Sequence, residues 1–286
     1  MAALAMAKQE QTARRHLLDG YSFEISARDA GRLDAVRAAI PDGTIVSITN
    51  LPNESDGARI EAAARVRALG LVPMPHVAAR RIASEADLAQ ALDGFAAAGV
   101  DRLFVIAGDV PAPAGPFADA LAMIAATSFA RHGIGVVGIS GYPDGHPGID
   151  REALDHARRA KIAALAEQAV TAELVTQFGF EAEPVVAWLR RIRAGGFDGV
   201  VRMGLPGPAN VGTLLRYAAR CGVGVSARAM TRYGASITRL LSSAGPDLLY
   251  AALARAVATE PLGPVAIHLF PFGGLGKMAD WAEAQR

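Results

Sequence analysis

Polar side chains close several apolar runs of this chain, and their types suit proton handling and recognition of a flat ligand. Residues 174–180 read Leu-Val-Thr-Gln-Phe-Gly-Phe, an apolar run that ends on the amide of Gln177 with Phe178 and Phe180 on either side of a glycine. Glu24 lies inside the run Tyr-Ser-Phe-Glu-Ile. Apolar neighbours strip water from such a carboxyl and raise its pKa towards neutrality, which is what a general acid needs. Thr49, His76, Asp109, Tyr142 and His146 end or follow other apolar runs. Any one of them has a plain structural reading: a lone histidine is more often a hydrogen-bonded core residue, and a lone glutamate the partner of an arginine. Six tips on one rim point instead to a shared site.

Other chemistries lack their signatures. His76, His146, Asp109 and Glu24 are candidate metal donors, but no His-x-His or cysteine-containing spacing supports a dedicated site. There is no Gly-x-Ser-x-Gly elbow for a nucleophilic serine and no phosphate-binding loop pattern. What remains is acid–base chemistry and polar recognition around a flat, conjugated ligand.

The elements that must carry these tips repeat in a regular beat. Short β-rich runs at 21–26, 44–49, 71–76, 102–107, 133–139, 172–177, 199–203 and 264–270 alternate with stretches of helical period at 29–39, 55–69, 85–98, 116–131, 150–167, 184–194, 211–221 and 236–258. Ser84 followed by Asp87 has the form of a helix-starting cap. Eight βα units without a linker predict an α/β fold, a single-domain (β/α)8 TIM barrel over residues 21–286, preceded by an N-terminal extension, 1–20, that is helical or poorly ordered. A doubly wound sheet is disfavoured, because no Gly-x-Gly-x-x-Gly turn follows the first strand.

Composition narrows the setting. Lys and Arg number 29 against 28 Asp and Glu, a formal charge of +1, which argues against nucleic acid or a membrane surface as partner. No run reaches the roughly 18 apolar residues of a membrane span. The single cysteine, Cys221, forms no internal disulfide and reads as a small buried residue, so a cytoplasmic protein is expected. Nothing in the sequence opposes a homo-oligomer.

Read in order, Phe23-Glu24, Pro75-His76, Gly108-Asp109-Val110-Pro111, Tyr142-Pro143-Asp144-Gly145-His146-Pro147 and Thr176-Gln177-Phe178-Gly179-Phe180 resemble the methylenetetrahydrofolate reductase family. The likeness runs from Phe23 to about His268. It implies a (β/α)8 barrel that holds FAD and interconverts 5,10-methylenetetrahydrofolate and 5-methyltetrahydrofolate with a nicotinamide nucleotide, NAD(P)H, as second substrate. It assigns Glu24 as general acid and Asp109 as the aspartate near flavin and folate. Gln177 becomes the pterin ligand, with Phe178 beside it, and Thr49, His76, Asp109, Tyr142, His146 and Lys161 become flavin-lining residues.

The chain departs from the family pattern in three places. Ala107 stands where the family usually has an arginine before Gly-Asp, a lost donor worth about 1.5–3 kcal/mol to a bound diphosphate, so weakened FAD retention is expected. The aromatic beyond the seventh strand is replaced within Pro206-Gly207-Pro208-Ala209-Asn210-Val211. The last strand reads His268-Leu269-Phe270-Pro271-Phe272. Two further readings therefore stand beside the first: a flavin-independent enzyme passing hydride directly between nicotinamide and folate, and a folate-binding protein without redox activity. The glycine-rich stretch 221–226 with Arg228 reads as a tight turn.

Overall fold

Eight parallel strands close on one another in sequence order, β1 (Ser22–Ile25), β2 (Ile45–Ile48), β3 (Val72–Ala78), β4 (Arg102–Ile106), β5 (Val136–Gly141), β6 (Thr171–Phe178), β7 (Val201–Pro206) and β8 (Val265–Phe270), with β8 pairing back onto β1. The structure is a computed structural model, and the described residues are 12–13, 17–221 and 245–286. The architecture is the single-domain (β/α)8 barrel that the alternation of runs predicts. Residues 222–228 of the glycine-rich stretch and 236–244 of the last expected helix lie outside the described residues.

Strand residues alternate between two packing environments. Phe23, Val46, Val77, Leu103, Val137, Leu174, Met203 and Ile267 face the helices in one large apolar cluster. Ile45, Met74 and Val175 pack with Val72 and Phe104 inside the barrel. On that same inner face, near the strand starts, Arg202 donates to Glu173 at 2.8 Å, and Arg102 lies 3.6 Å from the same carboxylate. Arg202 also donates to the carbonyl of Gly20. This buried charge cluster forms the barrel's floor, while Leu17 and Leu18, before β1, sit in the core.

Between the strands run helices whose starts are fixed by side-chain caps. Ser55, Ser84, Asp119 and Asp150 accept from the backbone N–H three residues on, opening Asp56–Ala68, Glu85–Ala97, Ala120–Ala126 and Arg151–Glu167. Among the described residues, the remaining α-helices are Ala182–Ala194, Val211–Cys221, Asp247–Thr259 and Leu275–Gln285.

Three elements differ from the sequence reading. The expected helix over 29–39 is a 3-10 segment, Ala27–Ala39, in which only Ala30 and Leu33 are buried; so thin an apolar stripe gives tertiary packing little with which to hold an α-helix. The expected helix over 116–131 is split. Thr127 turns its hydroxyl back onto the Met123 carbonyl, a bond that competes with the helix ladder, and a 3-10 turn, Phe129–His132, follows. That turn ends on Gly133 at φ 70°, a left-handed conformation suited to glycine, so β5 starts later than predicted. The terminal helix Leu275–Gln285 has no counterpart in the sequence reading. It buries Met278, Ala279, Trp281 and Ala282 and completes the eighth unit.

Among the described residues, no helix is long and apolar enough to cross a membrane, and no group of three or more His, Cys, Asp or Glu is placed to hold a metal ion.

Candidate active site

The strand ends converge at the C-terminal mouth of the barrel, where enzymes of this architecture carry their chemistry. Glu24 follows Ser22 on the inner face of β1, partly buried, and desolvation alone pushes its carboxyl up to about 7. Among the described residues no charge offsets that penalty, so Glu24 is poised between a proton donor and a carboxylate near neutral pH. One layer below, Ser22 Oγ meets His268 Nδ1 at 2.8 Å across the β1–β8 seam.

His76 lies on the inner face of β3, edge-on to Phe104 with ring centroids 4.7 Å apart. Burial, and then the charge of Arg59, drive its pKa down to about 3; burial does the same to His268, with His76 and Arg202 adding to it. Both imidazoles are therefore neutral near pH 7. His76 Nε2 is buried with no hydrogen-bond partner, an orphaned atom at the mouth that calls for an explanation. Arg59 Nη1 donates to the His76 carbonyl and fixes the strand end behind the ring.

The C-terminal end of helix Val211–Cys221 draws the other rim residues together. Gln177 Nε2 donates to the Cys221 carbonyl at 3.4 Å. Partial burial of the Cys221 thiol, and then the nearby Glu24 carboxyl, raise its pKa. Arg220 acts on Asp109, and that aspartate is held below its usual range first by a hydrogen bond from Arg81. Gln177, near the end of β6, thus touches the last turn of this helix, where the charges of Glu24, on β1, and Asp109, beyond β4, are also felt. Cys221 itself is exposed, not the small buried residue expected, because the helix ends over the mouth rather than in the core.

A register shift in the β6–β7 ladder aims these residues. Val175 pairs with Arg202 and Phe178 with Gly204, so three residues of β6 oppose two of β7, a bulge of the kind that redirects side chains beside active sites. The slip brings Phe178 onto the face carrying Phe270. Phe178 is buried at 2% exposure and packs in an aromatic group with Phe180, Phe270 and Phe272, so its ring supports the wall rather than presenting itself to a ligand. Tyr217 stacks on Phe272 at 4.2 Å. This is a flat apolar surface on the β6–β8 side of the mouth.

The remaining predicted residues are spread along the opposite rim. Thr49 spends its hydroxyl proton on the Ile25 carbonyl, tying the end of β2 to β1. Tyr142 and His146 meet edge-to-face, with centroids 5.4 Å apart, beyond β5. Lys161 is lowered by burial, against the pull of Asp119. Asp109 is an exposed, ion-paired carboxylate, which suits a fixed negative charge rather than a proton carrier.

Two contributors escape the sequence reading. His268 is visible there only as a histidine alternating with Phe270 in the last run, on the parity that faces inward. Asp144, in the Tyr-Pro-Asp-Gly-His turn, is pushed up to about 6 by desolvation and then by Glu181; its partner comes from the next loop, which no local pattern reveals.

A family model for methylenetetrahydrofolate reductase matches residues 30–237, well over half of the sequence. The chain belongs to the methylenetetrahydrofolate reductase family. The match begins after Glu24 and ends before His268, so the placement of those two residues in the site rests on the barrel geometry above. Among solved structures, an uncharacterized protein from Clostridium thermocellum that binds two copies of 5-methyl-5,6,7,8-tetrahydrofolic acid shares the fold, with a TM-score of 0.56 and 10% identity over 97% of both chains. Dihydropteroate synthase from Thermus thermophilus, in complex with 6HMPPP, aligns at a TM-score of 0.46 and 15% identity over 92% of this chain and 91% of its own, a likeness too slight to carry any inference. In this member of the reductase family, Arg81, in the turn after β3, brings a guanidinium to Asp109.

Proposed function

We propose that this chain is a folate oxidoreductase that interconverts 5,10-methylenetetrahydrofolate and 5-methyltetrahydrofolate, with a nicotinamide nucleotide as second substrate. The observation that carries the reading is Glu24, a desolvated carboxyl pushed up to about 7 at the mouth of a barrel of this family. Membership of the reductase family supports the reaction class, and the clostridial protein of the same fold, which binds 5-methyl-5,6,7,8-tetrahydrofolic acid, agrees with folate as the substrate class. Neutral Glu24 donates its proton to a bridging nitrogen of the folate. The carbon–nitrogen bond opens, its electron pair stays on that nitrogen, and an iminium carbon remains to accept hydride. Gln177 offers amide hydrogen bonds to the pterin, and the aromatic wall packs against the flat rings.

The rim also fits a flavin. His76 Nε2 lacks a partner, Lys161 carries a half-buried cation suited to a diphosphate, and Tyr142 with His146 form an aromatic edge beyond β5. When bound, FAD supplies a hydride donor and acceptor between the two substrates. The flavin-independent reading keeps one specific support: Arg81 is already engaged by Asp109, which leaves its guanidinium less free for a cofactor phosphate.

The visible spectrum of the purified chain, taken with FAD and then with 5-methyltetrahydrofolate, tests the proposal. A flavin band that bleaches on adding folate, and no longer does so in Glu24→Gln, is the expected result. Turnover without any flavin band favours direct transfer. A chain that binds folate but exchanges no hydride with either acceptor is a binding protein, and the proposal fails.

A further inference from the structure

Outside the barrel, helices Arg151–Glu167 and Ala182–Ala194 close a small cavity against the end of β5. It measures about 20 Å³ and is lined by Tyr142, Arg151, Asp155, Arg158, Trp188 and Arg191 among others. Of these, the chemistry above uses only Tyr142. Trp188 presses its ring against the strand at Gly141, where a Cβ would lie 2.7 Å from it.

Three arginines share this space with one carboxylate, an excess of two positive charges. Asp155 lies between two of them, 3.6 Å from Arg158 Nη2 and 3.3 Å from Arg191 Nε. Arg158 is only 7% exposed, and the Nε atoms of Arg158 and Arg191 are both buried without a hydrogen-bond partner. Burial lowers the pKa of Arg158; Asp155 works against this, and Arg159 and Arg191 add to it. A guanidinium keeps its charge under such pressure, so the repulsion stands. Arg151 and Leu154 belong to the first turn of their helix, whose free N–H groups add positive potential.

The volume limits what can relieve this. It is little more than the space that a single water needs, so a phosphate, a carboxylate or a ring does not fit. A water accepts from the two unpaired N–H groups but leaves the charge excess as it was. A monatomic anion does both, since each unpaired donor then makes a charge-assisted bond. We propose that this cavity is a halide site in which one chloride, held by Arg158 and Arg191, ties the two helices together behind the strand end that carries Tyr142. The inference is independent of the reaction proposed above.

Thermal melts of the full chain test it without folate or cofactor. Sodium gluconate, whose anion is too large for the cavity, is exchanged for sodium chloride at equal ionic strength. The melting temperature should rise by about 2–4 °C at saturation. Arg158→Gln and Arg191→Gln should each remove the rise, and the second serves alone if the first fails to fold. Arg190→Gln should keep it, because Arg190 is turned to Glu260 on the surface. Asp155→Asn removes the competing carboxylate, so half of the rise should come at about tenfold lower chloride, even from a lower starting temperature. Crystals soaked in bromide should show an anomalous peak between Arg158 and Arg191. Equal melts in gluconate and chloride would mean that the cavity holds a water, and a rise that survives both arginine variants would be a general salt effect. Either result, a chloride midpoint unmoved in Asp155→Asn, or a bromide map empty at this place overturns the proposal.

Discussion

Glu24 is useful as an acid because it is desolvated and, among the described residues, no charge repays that cost. A carboxyl raised to about 7 is mostly protonated below that pH and mostly ionised above it. Reduction of methylenetetrahydrofolate, which draws on the proton, should therefore hold up below pH 7 and fall as pH rises through it. Glu24→Gln should remove that limb and lower turnover by about two to four orders of magnitude, the usual worth of a positioned acid. A pH–rate profile of kcat for both proteins decides it; an unchanged limb in the variant would assign the titration to another group, with Asp144 the first alternative. The acid is legible in the sequence because its apolar neighbours are contiguous with it. Arg81 is not, since it reaches Asp109 from 28 residues away in sequence, and the packing of Phe178 among other rings depends on residues from β8 that nothing local announces.

At the scale of elements, the bulge in β6 is what turns Phe178 into the aromatic wall at the mouth, beside Gln177. It is possible only because β7 carries glycine where the two backbones meet: a Cβ on Gly204 would lie 2.5 Å from the Gln177 carbonyl oxygen. Thr176 Oγ1 accepts from the Gly204 N–H at 2.8 Å and locks the same spot. Gly204→Ala should accordingly push β7 from β6, lower the melting temperature and raise the folate KM together. Gln177→Ala should raise the folate KM by about tenfold, the scale of one or two lost hydrogen bonds, while the melting temperature holds. Equal stability and equal KM in the glycine variant would show that the bulge does not aim the site. The strands themselves are readable because parallel barrel strands are apolar on both faces and flanked by polar turns. The helices are less so: Thr127 breaks one of them through a single hydroxyl, and the Gly273-Gly274 pair before the last helix looks like an ending.

The whole barrel carries its polar groups in two tiers, and pH acts on each differently. On the floor, Glu173 holds Arg202 and Arg102, so Glu173→Gln leaves the buried Arg202 guanidinium without its counter-charge, while Arg102 keeps Asp101 at 3.5 Å. A loss of about 3–5 kcal/mol is expected, read as a large drop in melting temperature with the folate KM untouched, provided the chain still folds. Higher up, His76 and His268 refuse a proton until about pH 3 in the folded barrel, whereas an unfolded chain takes one near the ordinary histidine value of 6.5. Between those limits the unfolded state binds more protons, so stability falls as pH drops below about 6.5, by about 1.4 kcal/mol per unit for each imidazole fully engaged. Glu24 works against this from 4.5 to about 7, where the folded state is the one that holds the extra proton, and its contribution is lost as pH rises through that window. Asp144 opposes the loss in the same way from 3.8 to about 6, so two carboxyls balance the two imidazoles between about pH 6 and 4.5, and the net loss on acidification sets in below about pH 4.5 and steepens below about 3.8. Unfolding midpoints measured from pH 7 to pH 3.5 should show this shape, and His268→Asn should cut the loss on acidification by about 1.4 kcal/mol per pH unit between about pH 6.5 and 3.5, whatever it does to the absolute stability. A variant with the parent slope would mean that His268 is already protonated inside the barrel, and the neutral pair beneath Glu24 would have to be given up.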